Sequence, residues 1–148
     1  MEKRTEILKR FLGATGKQLL VEQPFRCDYG YNIRVGENFY ANMGCTILDE
    51  ALVTFGDNVL LAPNVSIYTA GHAVNVAQRI VGWEYAYPVT VGHNVWIGGN
   101  VVILPGVSIG DNSIIGGGSV VTKDIPANVI AVGNPCKVIR ELTEDELK

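Results

Sequence analysis

Residues 91–121 read VGHNVW IGGNVV ILPGVS IGDNSI IGGGSV V, with a branched aliphatic residue at every sixth position: Val91, Ile97, Ile103, Ile109, Ile115 and Val121. A similar row runs through Phe55, Leu61 and Ile67, and an earlier one through Val35, Ala41 and Ile47, offset by two residues. Gly-x-Asn punctuates the rows at Gly36-Glu37-Asn38, Gly56-Asp57-Asn58, Gly92-His93-Asn94 and Gly110-Asp111-Asn112, each time after an apolar residue. A period of six fits neither a helical turn nor the simple alternation of an open strand. Fixed-period self-similarity marks a solenoid, and a hexapeptide period marks a parallel β-helix.

The unit has a physical reading. The branched residue points into a narrow core, and the fourth residue after it is usually small or apolar, as at Val59, Val65, Val95, Val101, Val107, Ser113 and Ser119. Asparagine and glycine then turn the corner because they tolerate positive φ. Three units make a triangular coil of eighteen residues, and each coil stacks on its neighbours about 4.8 Å away through backbone hydrogen bonds.

The 148 residues suit one domain, and 47% hydrophobic with 18% charged residues describes a packed chain rather than a disordered one. A net charge of −3, with no Lys/Arg run among aromatics, argues against nucleic acid as partner. No apolar stretch approaches the ~20 residues of a membrane span, and Met1–Glu6 is not followed by the apolar core of a signal peptide. Cys27, Cys45 and Cys136 are odd in number and widely spaced, so reduced thiols and a cytoplasmic location are expected, with Cys45 filling a core slot.

Along the chain, Ile7, Leu8, Phe11 and Leu12 have helical spacing up to Gly13, so residues 1–16 read as a helical cap over the first coil. Residues 17–132 read as the β-helix. Residues 73–88, with Trp83, Tyr85, Tyr87 and Pro88, lack the period and read as an excursion loop of the kind that gathers on a binding face. Residues 133–148 form a turn at Gly133-Asn134-Pro135 and a tail, with a short closing helix from Thr143 and a Thr143/Glu146 capping box.

The chain has two histidines. His93 occupies a corner slot held elsewhere by Glu37, Asp57 and Asp111, which is a solvated turn position. His72 follows Thr69-Ala70-Gly71 where the repeat breaks, at the lip of the aromatic loop, and imidazole suits general-base work.

Several strings resemble the maltose and galactoside O-acetyltransferases: Pro24 to Ile33, Asn38-Phe39-Tyr40-Ala41-Asn42, Ala62-Pro63-Asn64-Val65, Thr69-Ala70-Gly71-His72, Val95-Trp96-Ile97-Gly98-Gly99, Gly116 to Pro126 and Gly133-Asn134-Pro135. The resemblance spans roughly residues 5–142 and implies an all-β, left-handed parallel β-helix. Family members begin with a longer helical segment, of which residues 1–16 match the last part, and carry proline where Ala73 stands. It implies acetyl-CoA as co-substrate, no metal, and a homotrimer with active sites between subunits. His72 would be the general base and Asn42 would position the hydroxyl and the imidazole. Asp28, Tyr40 and Glu50, or Asp49 in its place, would line the acceptor. Trp96 and Gly99 would lie along the pantetheine arm, the Gly99 N–H facing the oxyanion. Gly117, Thr122 and Lys123 would lie deeper in the groove, and Lys137 and Arg140 would meet the phosphates.

Other readings are a non-catalytic hexapeptide scaffold or regulatory subunit, and acetyl transfer to a non-sugar hydroxyl such as an antibiotic or serine. A zinc carbonic anhydrase on the same fold needs three histidines per metal, which this chain does not supply.

Overall fold

The structure, a computed structural model, describes residues 2–148. Helix α1 (Glu2–Phe11) leads into a left-handed parallel β-helix whose short strands stack into three faces. The first face holds Ile33–Val35, Val53–Phe55, Val89–Val91 and Ser108–Ile109. The second holds Leu19–Val21, Phe39–Ala41, Leu60–Leu61, Trp96–Ile97, Ile114–Ile115 and Val129–Val132, with Lys137–Glu141 added antiparallel at its end. The third holds Arg26–Cys27, Thr46–Leu48, Ser66–Tyr68, Val102–Ile103 and Val120–Val121. The six-residue rows are the core: Leu61, Ile67, Ile97, Ile103 and Ile115 are wholly buried, as is Cys45. Leu12 joins that core and Leu8 packs against it, so α1 caps the first coil.

The corner between the first and second faces shows why Asn recurs. Asn38, Asn58, Asn94, Asn112 and Asn128 all have φ between 55° and 62°. Each side-chain amide donates to the next Asn Oδ1, at 3.0, 2.9, 2.9 and 2.7 Å down the ladder. Beside it runs a second ladder, in which Glu37 N–H donates to Asp57 Oδ1, Asp57 N–H to His93 Nδ1 and His93 N–H to Asp111 Oδ1, at 2.7, 2.9 and 2.7 Å. His93 thus does the work of a corner carboxylate, with Nδ1 as acceptor.

The eighteen-residue coil holds in the lower part, where Asn94 and Asn112 are 18 apart. Upstream the spacing is 20, and at the end 16. The two-residue offset in the sequence is an enlarged corner between the third and first faces, at 49–51. Asp49 fills that corner. It is fully buried, and its carboxylate accepts the N–H groups of Asp28, Tyr29, Gly30 and Asn32 at 3.1, 2.9, 2.7 and 3.3 Å. Gly30 (φ 82°) completes the loop, with the Phe11 ring where a Cβ would stand.

The C-terminus departs from expectation. Lys137–Glu141 is a strand, and no helix follows. The capping box forms, with Thr143 N–H donating to Glu146 Oε2 at 2.8 Å and Glu146 N–H to Thr143 Oγ1 at 3.3 Å. It closes a single turn at 144–147 without the run of i→i−4 bonds that makes helix growth favourable. In the excursion, α2 (Val76–Ile80) and a two-stranded hairpin lie within what the sequence shows only as aperiodic.

Asp49→Asn would turn an amide NH₂ toward backbone donors that now meet a carboxylate oxygen. Chemical unfolding should show a loss of about 3 kcal/mol or more, and Glu50→Gln less than about 1 kcal/mol.

Candidate active site

After Tyr68 the chain leaves the coil. Ala70–His72 pairs antiparallel with Glu84–Ala86, so His72 stands opposite Glu84, with Nε2 3.6 Å from Glu84 Oε1. The Tyr85 hydroxyl packs over Gly71, 2.5 Å from where a Cβ would stand. Tyr85 and Tyr87 brace the returning strand, ring centroids 5.2 Å apart. At the tip, Asn75 caps α2 by accepting Gln78 N–H at 3.1 Å. The excursion buries almost nothing of its own. Val74 is 90% and Ile80 78% exposed, Trp83 is exposed, and the His72 side chain is 60% exposed. Glu84 is a partner for His72 that sequence reading misses, because only the hairpin register brings positions twelve apart together.

Apart from Lys137 and Arg140 on the closing strand, the expected site residues fall at or beside two edges of the prism. Asn42, Gly99 and Gly117 lie at the corner between the second and third faces, where successive coils stack: Gly118 N–H donates to Gly99 O at 2.8 Å, and Asn100 N–H to Pro63 O at 3.0 Å. Asn42 Oδ1 accepts Met43 N–H at 2.8 Å. Among the described residues, the Gly99 N–H has no acceptor. Next to this corner, the outward column of the second face runs Leu20, Tyr40, Leu60, Trp96, Ile114, Ile130. The corner between the third and first faces holds Asp28, Glu50, His72, Thr122 and Lys123. Asp28 lies beside Glu50, Thr69 Oγ1 donates to Leu48 O at 2.8 Å and lies 3.3 Å from Glu50 Oε2, the His72 hairpin departs here, and Thr122 and Lys123 follow Val120–Val121. One face-width therefore separates Asn42 from His72 within a protomer.

At this second edge the Asp28 carboxyl is raised, first by desolvation, then by the hydrogen bond and charge of Glu50 and the charge of Asp49. Asp49, left open in the sequence as an acceptor contact, is committed to four backbone donors and buried, which leaves Glu50 as the accessible carboxylate.

A β-bulge aligns the two terminal cations. Val132 pairs with Lys137, Ala131 with Val138 and Ile130 with Arg140, leaving Ile139 unpaired. Residues three apart on a regular strand face opposite ways, but here the extra residue turns both cations to the outer side shared by Ile130 and Val132. Arg140 thereby continues the Tyr40–Trp96 column. A groove of about 510 Å³ lies over the Trp96–Ile114 part of this column and is walled by Leu142, Glu146 and Leu147. Arg140 is already engaged: Nη1 and Nη2 donate to Glu146 Oε2 and Oε1 at 2.7 and 2.8 Å.

Among the described residues, no group of three His, Cys, Asp or Glu could hold a metal ion, and no helix is long and apolar enough to cross a membrane.

Comparison with known proteins bears on this arrangement. Residues 88–123 match the bacterial transferase hexapeptide (six repeats) family. The chain is 54% identical to the galactoside O-acetyltransferase of Escherichia coli K12 over 144 residues, 97% of this chain and 71% of that protein. A maltose O-acetyltransferase structure from Clostridium difficile 630 superposes with a TM-score of 0.95 at 60% identity, over 97% of this chain and 76% of that one. A galactoside acetyltransferase in complex with coenzyme A superposes at 0.96 with 53% identity, over 99% and 73%.

None of the thiols is poised to carry an acyl group. Burial first, then the charges of Asp49 and Asp28, push Cys27 to about 11. Burial likewise raises Cys45 and Cys136. Because the thiolate is the reactive species, Cys27 should react with iodoacetamide at pH 8 at least about tenfold more slowly than a free thiol, as followed by mass spectrometry.

Proposed function

The chain belongs to the maltose and galactoside O-acetyltransferase family of hexapeptide-repeat, acetyl-CoA-dependent enzymes, and from that premise we propose that it transfers the acetyl group of acetyl-CoA to a hydroxyl of a sugar, in the cytoplasm, at sites shared between the subunits of a homotrimer. The observation that carries the shared site is the separation of the expected residues onto two edges. Asn42, Tyr40, Trp96, Gly99 and Gly117 belong to one. Asp28, Glu50, His72, Thr122 and Lys123 belong to the other. Cyclic association of identical prisms sets one edge of each copy against the other edge of its neighbour and closes without a free end. The exposed apolar column of the second face and the bare apolar side chains of the excursion support the same packing.

In such a site His72 takes the proton of the acceptor hydroxyl as its oxygen attacks the thioester carbonyl. The unpaired Gly99 N–H receives the resulting oxyanion, a contribution of about 2.7–4 kcal/mol where it has been measured for a single donor. The tetrahedral intermediate expels the thiolate of coenzyme A, which recovers the proton from His72. Glu84 holds a negative charge near the imidazolium during this cycle. Asn42 orients the hydroxyl, and Glu50, Asp28 and Tyr40 accept or donate to the remaining hydroxyls. The Asp28 and Glu50 carboxyls stand side by side as partners for such groups. Direct transfer fits the raised thiols, which offer no activated cysteine for an acyl-enzyme.

His72→Ala should lower kcat by about 10²–10⁴-fold, remove the acid limb of kcat/KM against pH, and leave acetyl-CoA affinity nearly unchanged. Residual activity above about a tenth would contradict the base assignment. Glu84→Gln should reduce kcat no more than about fivefold. These rates are read as thiol release from acetyl-CoA against a panel of sugar and non-sugar acceptors, and light scattering should report a trimer.

A further inference from the structure

We propose that Glu146 competes with the phosphates of acetyl-CoA for Arg140, so that the C-terminal turn sets the affinity for the co-substrate. The inference rests on the reading that Arg140 meets those phosphates. Three features of the structure carry it. The Arg140 guanidinium is taken by the Glu146 carboxylate in a two-bond fork, and Nη1 also donates to Glu141 O at 3.0 Å. A phosphate seeks the same fork, since planar bidentate pairing is what Arg offers to carboxylate and phosphate alike. Second, the competitor is fixed in place: the Thr143 N–H holds Glu146 Oε2, so the carboxylate is presented by a closed turn rather than a loose tail. Third, Glu146 lines the groove floored by Trp96, so its charge faces whatever lies along that column. The Arg140 bonds, then the Thr143 N–H, hold the Glu146 carboxyl down to about 2, so it is ionised at any working pH.

When a phosphate group enters, Arg140 must exchange one anion for another or bind with a like charge alongside. Either way the carboxylate weakens binding of the phosphorylated co-substrate and leaves a phosphate-free thioester unaffected. No covalent step is involved.

The test compares Kd for coenzyme A by calorimetry, and KM for acetyl-CoA and S-acetylpantetheine, in wild type, Glu146→Gln, Arg140→Ala and the double variant, at low salt. Glu146→Gln should tighten coenzyme A about fivefold and leave the KM for S-acetylpantetheine unchanged, and the gain should vanish in the Arg140→Ala background. Arg140→Ala alone should weaken coenzyme A. If Arg140→Ala weakens coenzyme A but Glu146→Gln leaves it unchanged or weakens it as well, Glu146 holds Arg140 in place and the competition is refuted. If Arg140→Ala changes nothing, the phosphate reading of Arg140 itself falls.

Discussion

Everything in this molecule hangs on the stacking of one coil on the next. The strands are two to five residues long, too short to hold a sheet by themselves. They persist because each corner repeats the same bonds as the corner above it. The asparagine ladder fixes the turn by tolerating left-handed backbone and by pairing amide to amide, and the adjacent column lends a side-chain acceptor to the N–H of the coil before. Any group that accepts in that direction serves: a carboxylate at Asp57 and Asp111, an imidazole nitrogen at His93. The ladder therefore explains why one histidine is part of the scaffold while the other, on a hairpin that escapes the stack, is free for chemistry.

Stacking also dictates where a site can be. The inside of the prism is a close-packed apolar core with no room for a ligand, so chemistry must sit on the outside, and an edge of a convex prism cannot enclose a substrate. The residues the family resemblance points to obey this. Apart from Lys137 and Arg140 on the closing strand, they lie at or beside two edges of one face, with the Asn42 amide and the unpaired Gly99 N–H on one side and carboxylates and an imidazole on the other. Departures from the repeat occur at the second edge, where the enlarged corner at 49–51 lets Asp49 tie down the 28–32 loop and the excursion releases His72. The bulge at Ile139 is a third such departure, and it turns Arg140 onto the same column as Trp96.

Much of this was legible beforehand. The six-residue row gives the core almost residue by residue, since inward positions of a solenoid are fixed by period alone, while the two-residue offset of the early row was visible without its cause, the larger corner at 49–51. What the sequence did not reveal depends on contacts without a local signal. Glu84 meets His72 only through hairpin register. The strand at Lys137–Glu141 lacks alternation because of its bulge, so the tail read as turn and helix. The capping box was read correctly from Thr143 and Glu146, but Glu146 spends its carboxylate on Arg140 as well, and a single closed turn results. Asp49 and Glu50 stand side by side in sequence with opposite fates, one sealed under four N–H groups and one open, and composition cannot tell them apart.

The central claim is that one active site is assembled from two copies of the chain. Subunit complementation tests it most directly. Inactive His72→Ala and inactive Asn42→Ala chains, bearing different tags, are co-expressed and the mixed assemblies purified through both tags. If the two residues come from opposite edges of neighbouring subunits, each mixed trimer contains one site with both residues intact, and about a third of wild-type activity should return. Mixed assemblies that form but stay as inactive as their parents would place His72 and Asn42 in the same chain's site and contradict the account.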